Sequence, residues 1–239
     1  MLQLMIHSVQ AKFGKYPILP RALPFLIYIA FLLLLPALSY AWEMIYPAML
    51  FDGRMVYPVK AGCVALLLVF FWHHYPELRK FNLESHEILW SIAIGAGVFV
   101  VWINLDQEWM RFGEAAGYDP RDELGNINWF LALSRLLGAV LVVPVMEELF
   151  WRSYLMRRIE HPDFLELSPG LVGLTGLLGS SMLFALAHTM WLAGLVAGLA
   201  YGALYTLKAK SLWAPVVAHA TTNGLLGLWV LQGGRWDFW

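Results

Sequence analysis

Seven long apolar stretches dominate this chain, near 22–42, 58–75, 86–105, 129–150, 169–190, 192–208 and 211–231. A helix needs about 20 mostly apolar residues to cross roughly 30 Å of hydrocarbon. Inside that layer the chain must satisfy its own backbone N–H and C=O groups, and uninterrupted runs of this length do so as helices. The expectation is an all-α fold, a polytopic transmembrane helical bundle of seven or eight spans, forming a single integral membrane domain over 1–239. Composition agrees, with 60% hydrophobic and 14% charged residues, against about 25% charged in soluble domains. The lone Cys63 excludes an internal disulfide and a cysteine-rich metal site. A net charge of -1 leaves no basic surplus for a phosphate backbone, so nucleic acid is not an expected partner.

Short cytoplasmic loops collect Lys and Arg. With the N-terminus inside, Lys12, Lys15, Arg21, Arg79, Lys80, Arg157, Arg158, Lys208 and Lys210 fall inside, against Arg54, Lys60, Arg111, Arg121 and Arg235 outside. This favours N-in, C-out. The first stretch has no small-residue cleavage signature before its polar exit and reads as an anchor. Lipid gives helices no hydrophobic reason to associate, so small residues mark close contact. Gly194, Gly198 and Gly202 recur every four residues, and Gly170, Gly173, Gly176 and Gly179 every three, which predicts tight packing of the last three spans.

Charge deep in a bilayer costs about 2.5–3.5 kcal/mol per group on translocon scales and so calls for a reason. The fourth stretch ends in "VVPVMEELFWRSYLMRR". Glu148 and Arg152 are four apart on one helical face and can neutralise each other. Glu147, about 100° around the helix, is left without a cation. Pro144 removes a backbone donor where the cluster begins. Phe184 and His188 share a face at i,i+4 in "FALAHTM", as do His219 and Asn223 in "APVVAHATTNGLLG". A membrane histidine or asparagine is often only a hydrogen-bond partner between helices. Here an unpaired carboxylate, two histidines and a carboxamide occur on three apolar stretches of the C-terminal half. Together they suffice for peptide-bond hydrolysis. A glutamate helped by a histidine can take a proton from water, and an imidazole with an amide NH₂ can stabilise an oxyanion. No GxSxG elbow and no H-E-x-x-H helix is present.

These residues resemble the intramembrane CAAX prenyl protease and bacteriocin-processing group, also called the Abi or CPBP family, whose motifs run E-E-x-x-x-R, F-x-x-x-H and H-x-x-x-N. Here they read "EELFWR" (147–152), "FALAH" (184–188) and "HATTN" (219–223), within a protease core at 129–225. The resemblance implies that Glu147 and His188 activate water, that His219 and Asn223 form the oxyanion hole, and that Glu148, Arg152 and Phe184 support the site. It implies an intramembrane endopeptidase acting on a membrane-anchored or lipidated protein or peptide, with membrane lipid as its surroundings and no cofactor. The expected location is a prokaryotic cytoplasmic membrane. The family often has glycine directly after the arginine, where this chain has Ser153. Zinc is the alternative, with Glu147, His188 and His219 as ligands and an open water position. An ion-coupled transporter and a noncatalytic scaffold are the rival functions, since intramembrane Glu, Arg and His also line proton and substrate paths. Straight spans would put Glu147 about 27 Å from Trp129, near the cytosolic face, and His188 at the outer end of its own span. The two can meet only if the fifth stretch is re-entrant or the 180–208 region is broken or tilted.

Overall fold

The computed structural model describes residues 15–46, 52–113, 117–209 and 211–239, so Lys12 and Lys210 of the charge balance lie outside the described residues. These fold into seven main helices: α1 (Ile18–Ile45), α2 (Val56–Phe70), α3 (Ser85–Asn104), α4 (Trp129–Glu160), α5 (Leu174–Leu186), α6 (Trp191–Ala203) and α7 (Trp213–Gly233). No strand occurs among the described residues; Arg121 and Ile127 form an isolated bridge. Five segments are long and apolar enough to cross a membrane: α1, α2 with its leading turn from Gly53, α3, α4 and α7.

Local chemistry sets several helix ends. Asn128 caps α4 by accepting from the N–H groups of Phe130 and Leu131 at 3.1 and 3.3 Å. Glu84 and Glu87 form a reciprocal capping box at the start of α3. Gly234 ends α7 in the left-handed region at φ 67, a conformation that costs glycine little. The second apolar stretch stops at Phe70, short of 75, because Trp72–His74 and Pro76–Leu78 wind into 3-10 turns. The Tyr75 hydroxyl there donates to the Pro20 carbonyl at 2.7 Å, tying this bend to α1.

The fifth and sixth stretches are where the expected straight spans change. The fifth, read at 169–190, is helical only over Leu174–Leu186, and the chain turns back at Ala187–Met190 into α6. At 13 residues, α5 is about 20 Å long and too short to cross. α5 and α6 form a hairpin that enters beside α4 and returns. The N–H of Gly176 donates to Glu160 Oε1 at 2.6 Å, while the guanidinium of Arg152 lies 4.6 Å over the Phe184 ring. Pairing 160 with 176 and 152 with 184 makes α5 antiparallel to α4 and brings residue 188 level with 148. The depth conflict is resolved by this re-entrant geometry.

The glycine stripes serve the hairpin. A Cβ on Gly198 would come within 3.0 Å of the Ser181 Cα, and one on Gly194 within 3.2 Å of the Ala185 Cα, so α6 lies directly on α5. The expectation of tight packing among the last three spans needs one correction: α7 makes its closest backbone approach to α3, where a Cβ on Gly95 would overlap the Ala218 carbonyl oxygen. Residues 109–112, which follow α3, pack over the hairpin tip. The Phe112 N–H donates to the Thr189 carbonyl at 2.7 Å and the Trp191 indole to the Trp109 carbonyl at 3.1 Å.

Candidate active site

α4 is about 48 Å long at 1.5 Å per residue over its 32 residues. Glu147 lies well inside it, and the helix is not uniform there. Gly138–Val142 forms a π-helical turn. Val143 donates its N–H to the Gly138 carbonyl, and Pro144 has no N–H to give. The carbonyl of Ala139 is therefore denied its usual helical donors, and the Asn223 amide of α7 fills the gap, Nδ2 to O, at 2.8 Å. A carbonyl can only accept, so this contact fixes which end of the Asn223 amide is NH₂ and leaves its second N–H available.

The motif residues converge at this level. Arg152 donates to Glu148 Oε1 at 3.0 Å, and His219 Nδ1 meets the same oxygen at 2.8 Å. Glu148 is fully buried and Arg152 nearly so. Arg152 also donates to the Gly198 carbonyl at 3.3 Å, locking α6 to α4. The His219 ring stacks on Tyr201 at 5.1 Å, and the Tyr201 hydroxyl bonds Thr222 at 2.6 Å. His188 stands in the turn after α5, not within a spanning helix, with its Nδ1 2.7 Å from the Phe184 carbonyl. Its ring is held by Phe184 at 4.4 Å and by the edge of Trp102 at 5.7 Å. Since the Phe184 carbonyl only accepts, Nδ1 carries the hydrogen, and in the neutral ring Nε2 is a lone pair.

Glu147 differs from Glu148. It is 8% exposed and has no ion pair, whereas Glu148 is fully buried and bound through Oε1 to Arg152 and His219; the Oε2 of each carboxylate is buried without a hydrogen-bond partner among the described residues. A cavity of about 100 Å³ is lined by Glu147, His188, His219 and Asn223 with the aromatic rings of Trp102 and Tyr201. A second, of about 240 Å³, shares Glu147, His188 and Asn223 and extends past Tyr28, Tyr57 and Arg135. All four residues expected to act chemically thus face connected space. Among the described residues no group of three His, Cys, Asp or Glu side chains is placed to hold a metal ion.

Ser153 also finds its reason here. Its buried hydroxyl accepts from Arg21 Nε at 3.0 Å and donates to Glu77, which pairs with Arg21 at 2.8 Å. A glycine could not make this link between α4, α1 and the 72–78 bend. Sequence reasoning missed Lys60, Arg135, Tyr28 and Tyr57 as cavity residues. The signal was present, because Lys60 and Arg135 are charges within apolar stretches, but Lys60 was counted only as a topological charge.

Five bilayer-length helices, with a buried carboxylate and imidazole cavity lined from α3, α4, α7 and the α5–α6 hairpin, define an integral membrane protein with a polar site inside its bundle. The model of the type II CAAX prenyl endopeptidase, Rce1-like family matches residues 128–225, which cover α4, the hairpin and the motif-bearing part of α7. That stretch is similar to Rce1-like domains, in line with the three motifs, and the likeness suggests a protease. No curated protein and no solved structure matches the chain.

Proposed function

We propose that the protein is an intramembrane endopeptidase that hydrolyses a peptide bond of a membrane-tethered protein or peptide without a metal. The observation that carries this reading is the unpartnered carboxylate of Glu147 facing the same cavity as His188 and Asn223, within the stretch that matches a peptidase family. Glu147 accepts a proton from water as it attacks the scissile carbonyl, with the Nε2 lone pair of His188 as the second acceptor. The carbonyl oxygen gains negative charge and takes hydrogen bonds from the free N–H of Asn223 and from His219 Nε2. His219 already presents Nδ1 to Glu148, so donation from Nε2 requires the doubly protonated ring. Two carboxylates, Arg152 and an imidazolium then sum to zero charge. Glu148 and Arg152 hold His219 and α6 in place, and Phe184 sets the tautomer of His188 through its carbonyl. The proton held by Glu147 passes to the leaving amine, and both products depart.

The test is cleavage of a membrane-anchored peptide by purified, metal-stripped protein in detergent. Undiminished turnover after chelation is expected. Loss on chelation with recovery on adding zinc would overturn the metal-free mechanism. Absence of cleavage together with proton-coupled solute flux in proteoliposomes would replace the peptidase reading with a transporter.

A further inference from the structure

Two cations near the starts of α2 and α4 have no anion among the described residues. Lys60 is 4% exposed, lies 4.1 Å from the Tyr28 ring and 5.1 Å from the Tyr57 ring, and has no hydrogen bond or carboxylate partner among those residues. Arg135 stacks on the same Tyr57 ring at 4.5 Å and on Tyr118 at 5.5 Å, and its Nε is buried without a partner among the described residues. An aromatic face attracts a cation but leaves most of its N–H groups without an acceptor. Both side chains line a cavity of about 470 Å³. Arg54 lines it too, but is already paired with Asp52 at 2.8 Å. Two like charges against one tyrosine ring repel each other, and a poorly hydrated setting strengthens that repulsion. An anion placed between them relieves it.

The wall of this cavity points to what fills it. Phe31, Leu32 and Leu35 of α1 line one side. The buried residues of α1 all lie between Pro20 and Phe25, and none from Leu32 to Ile45 is buried. In a bilayer this apolar flank, with Leu33, Leu34 and Leu38 exposed on it, is covered by acyl chains, and it leads to the two cations. Lys60 follows the first residue of α2 by four positions and Arg135 the first of α4 by six, about 6 and 9 Å along their helices. The headgroup layer on each side of the hydrocarbon is about 5–8 Å thick, so a phosphate can reach this depth. We infer that Lys60 and Arg135 bind the phosphate of a bilayer phospholipid whose acyl chains run along the exposed face of α1. A guanidinium fork takes two phosphate oxygens and the ammonium takes a third. The two cations repel the ammonium of a zwitterionic headgroup, so phosphatidylglycerol is preferred to phosphatidylcholine. Free phosphate offers the same charge but gains nothing from the apolar wall. Neither the site nor its occupant depends on the peptidase reading.

The test uses the full chain, freed of lipid in a neutral detergent and titrated with phosphatidylglycerol and phosphatidylcholine of identical acyl chains, with binding read by native mass spectrometry. Phosphatidylglycerol should bind about tenfold more tightly, and inorganic phosphate at the same concentration should not displace it. Lys60→Met keeps the side-chain length without its charge, and Arg135→Gln keeps a donor; with unchanged melting, each should erase most of the preference, while Lys60→Arg should retain it. Should the neutral variants fail to fold, Leu35→Trp narrows the cavity from the exposed stretch of α1 without touching either cation, and it should weaken phosphatidylglycerol binding. Equal binding of the two lipids would overturn the site. So would a preference that survives in both neutral variants, or binding unchanged in Leu35→Trp. Displacement by inorganic phosphate at the lipid's own concentration would show that the acyl chains contribute nothing and overturn the lipid as occupant.

Discussion

The half of α4 from Glu148 to Arg157 and the half from Arg135 to Glu147 hold their charges in different ways. In the first, Arg152 meets Glu148 and the Gly198 carbonyl, and Arg157 donates to the Ser153 carbonyl at 2.7 Å and the Leu167 carbonyl at 3.3 Å. In the second, Glu147 has no ion pair, and its Oε2 and the Nε of Arg135 have no partner among the described residues; the Oε2 of Glu148 is likewise unpartnered, but its Oε1 is held by both Arg152 and His219. A buried charge that is paired and hydrogen-bonded contributes to geometry, whereas one left open retains its demand for a ligand or a proton. On the proposed function, adjacent residues on one helix, Glu148 and Glu147, mark the border between scaffold and chemistry.

The sharpest way to break this comparison is Glu147→Gln. It keeps shape and removes proton acceptance, so turnover of an anchored peptide should fall by about 10²–10⁴ while thermal unfolding in detergent stays at the wild-type temperature. A large loss of stability instead would place Glu147 with the scaffold. Next comes Arg152→Ala, which leaves Glu148 buried beside His219 alone. The expected loss is about 3–5 kcal/mol of stability, seen as a lower melting temperature and poor accumulation, because removing one partner strands the other charge. Wild-type melting with selective loss of activity would move Arg152 across the border. Smallest is Ser153→Ala, which removes the hydroxyl between Arg21 and Glu77 but leaves their ion pair; about 1–2 kcal/mol is expected in the same melting assay, with turnover retained.

What the sequence disclosed followed from composition and spacing. Apolar length marked the helices, and the i,i+4 interval placed Glu148 with Arg152 and left Glu147 alone, as the structure has them. The likeness of three motifs singled out a stretch that a family model also matches. The hairpin was harder, because its halves are as apolar as a spanning helix and only tertiary contacts such as Gly176 to Glu160 reveal where α5 starts. Partners across helices were invisible for the same reason. The His219 to Glu148 bond joins residues 71 apart, and the Asn223 to Ala139 bond depends on a backbone gap left by a π turn and Pro144.

The re-entrant hairpin gives Glu147 and His188, the proposed catalytic pair, a ruler of their own. His188 reaches the level of Glu147 because α5 starts against Glu160 and climbs a fixed number of residues along α4, not because either end is anchored at a membrane surface. A thicker or thinner bilayer can tilt the long helices, but it shifts α4 and the hairpin riding on it together. The spacing between these two side chains is thereby insulated from the lipid around them.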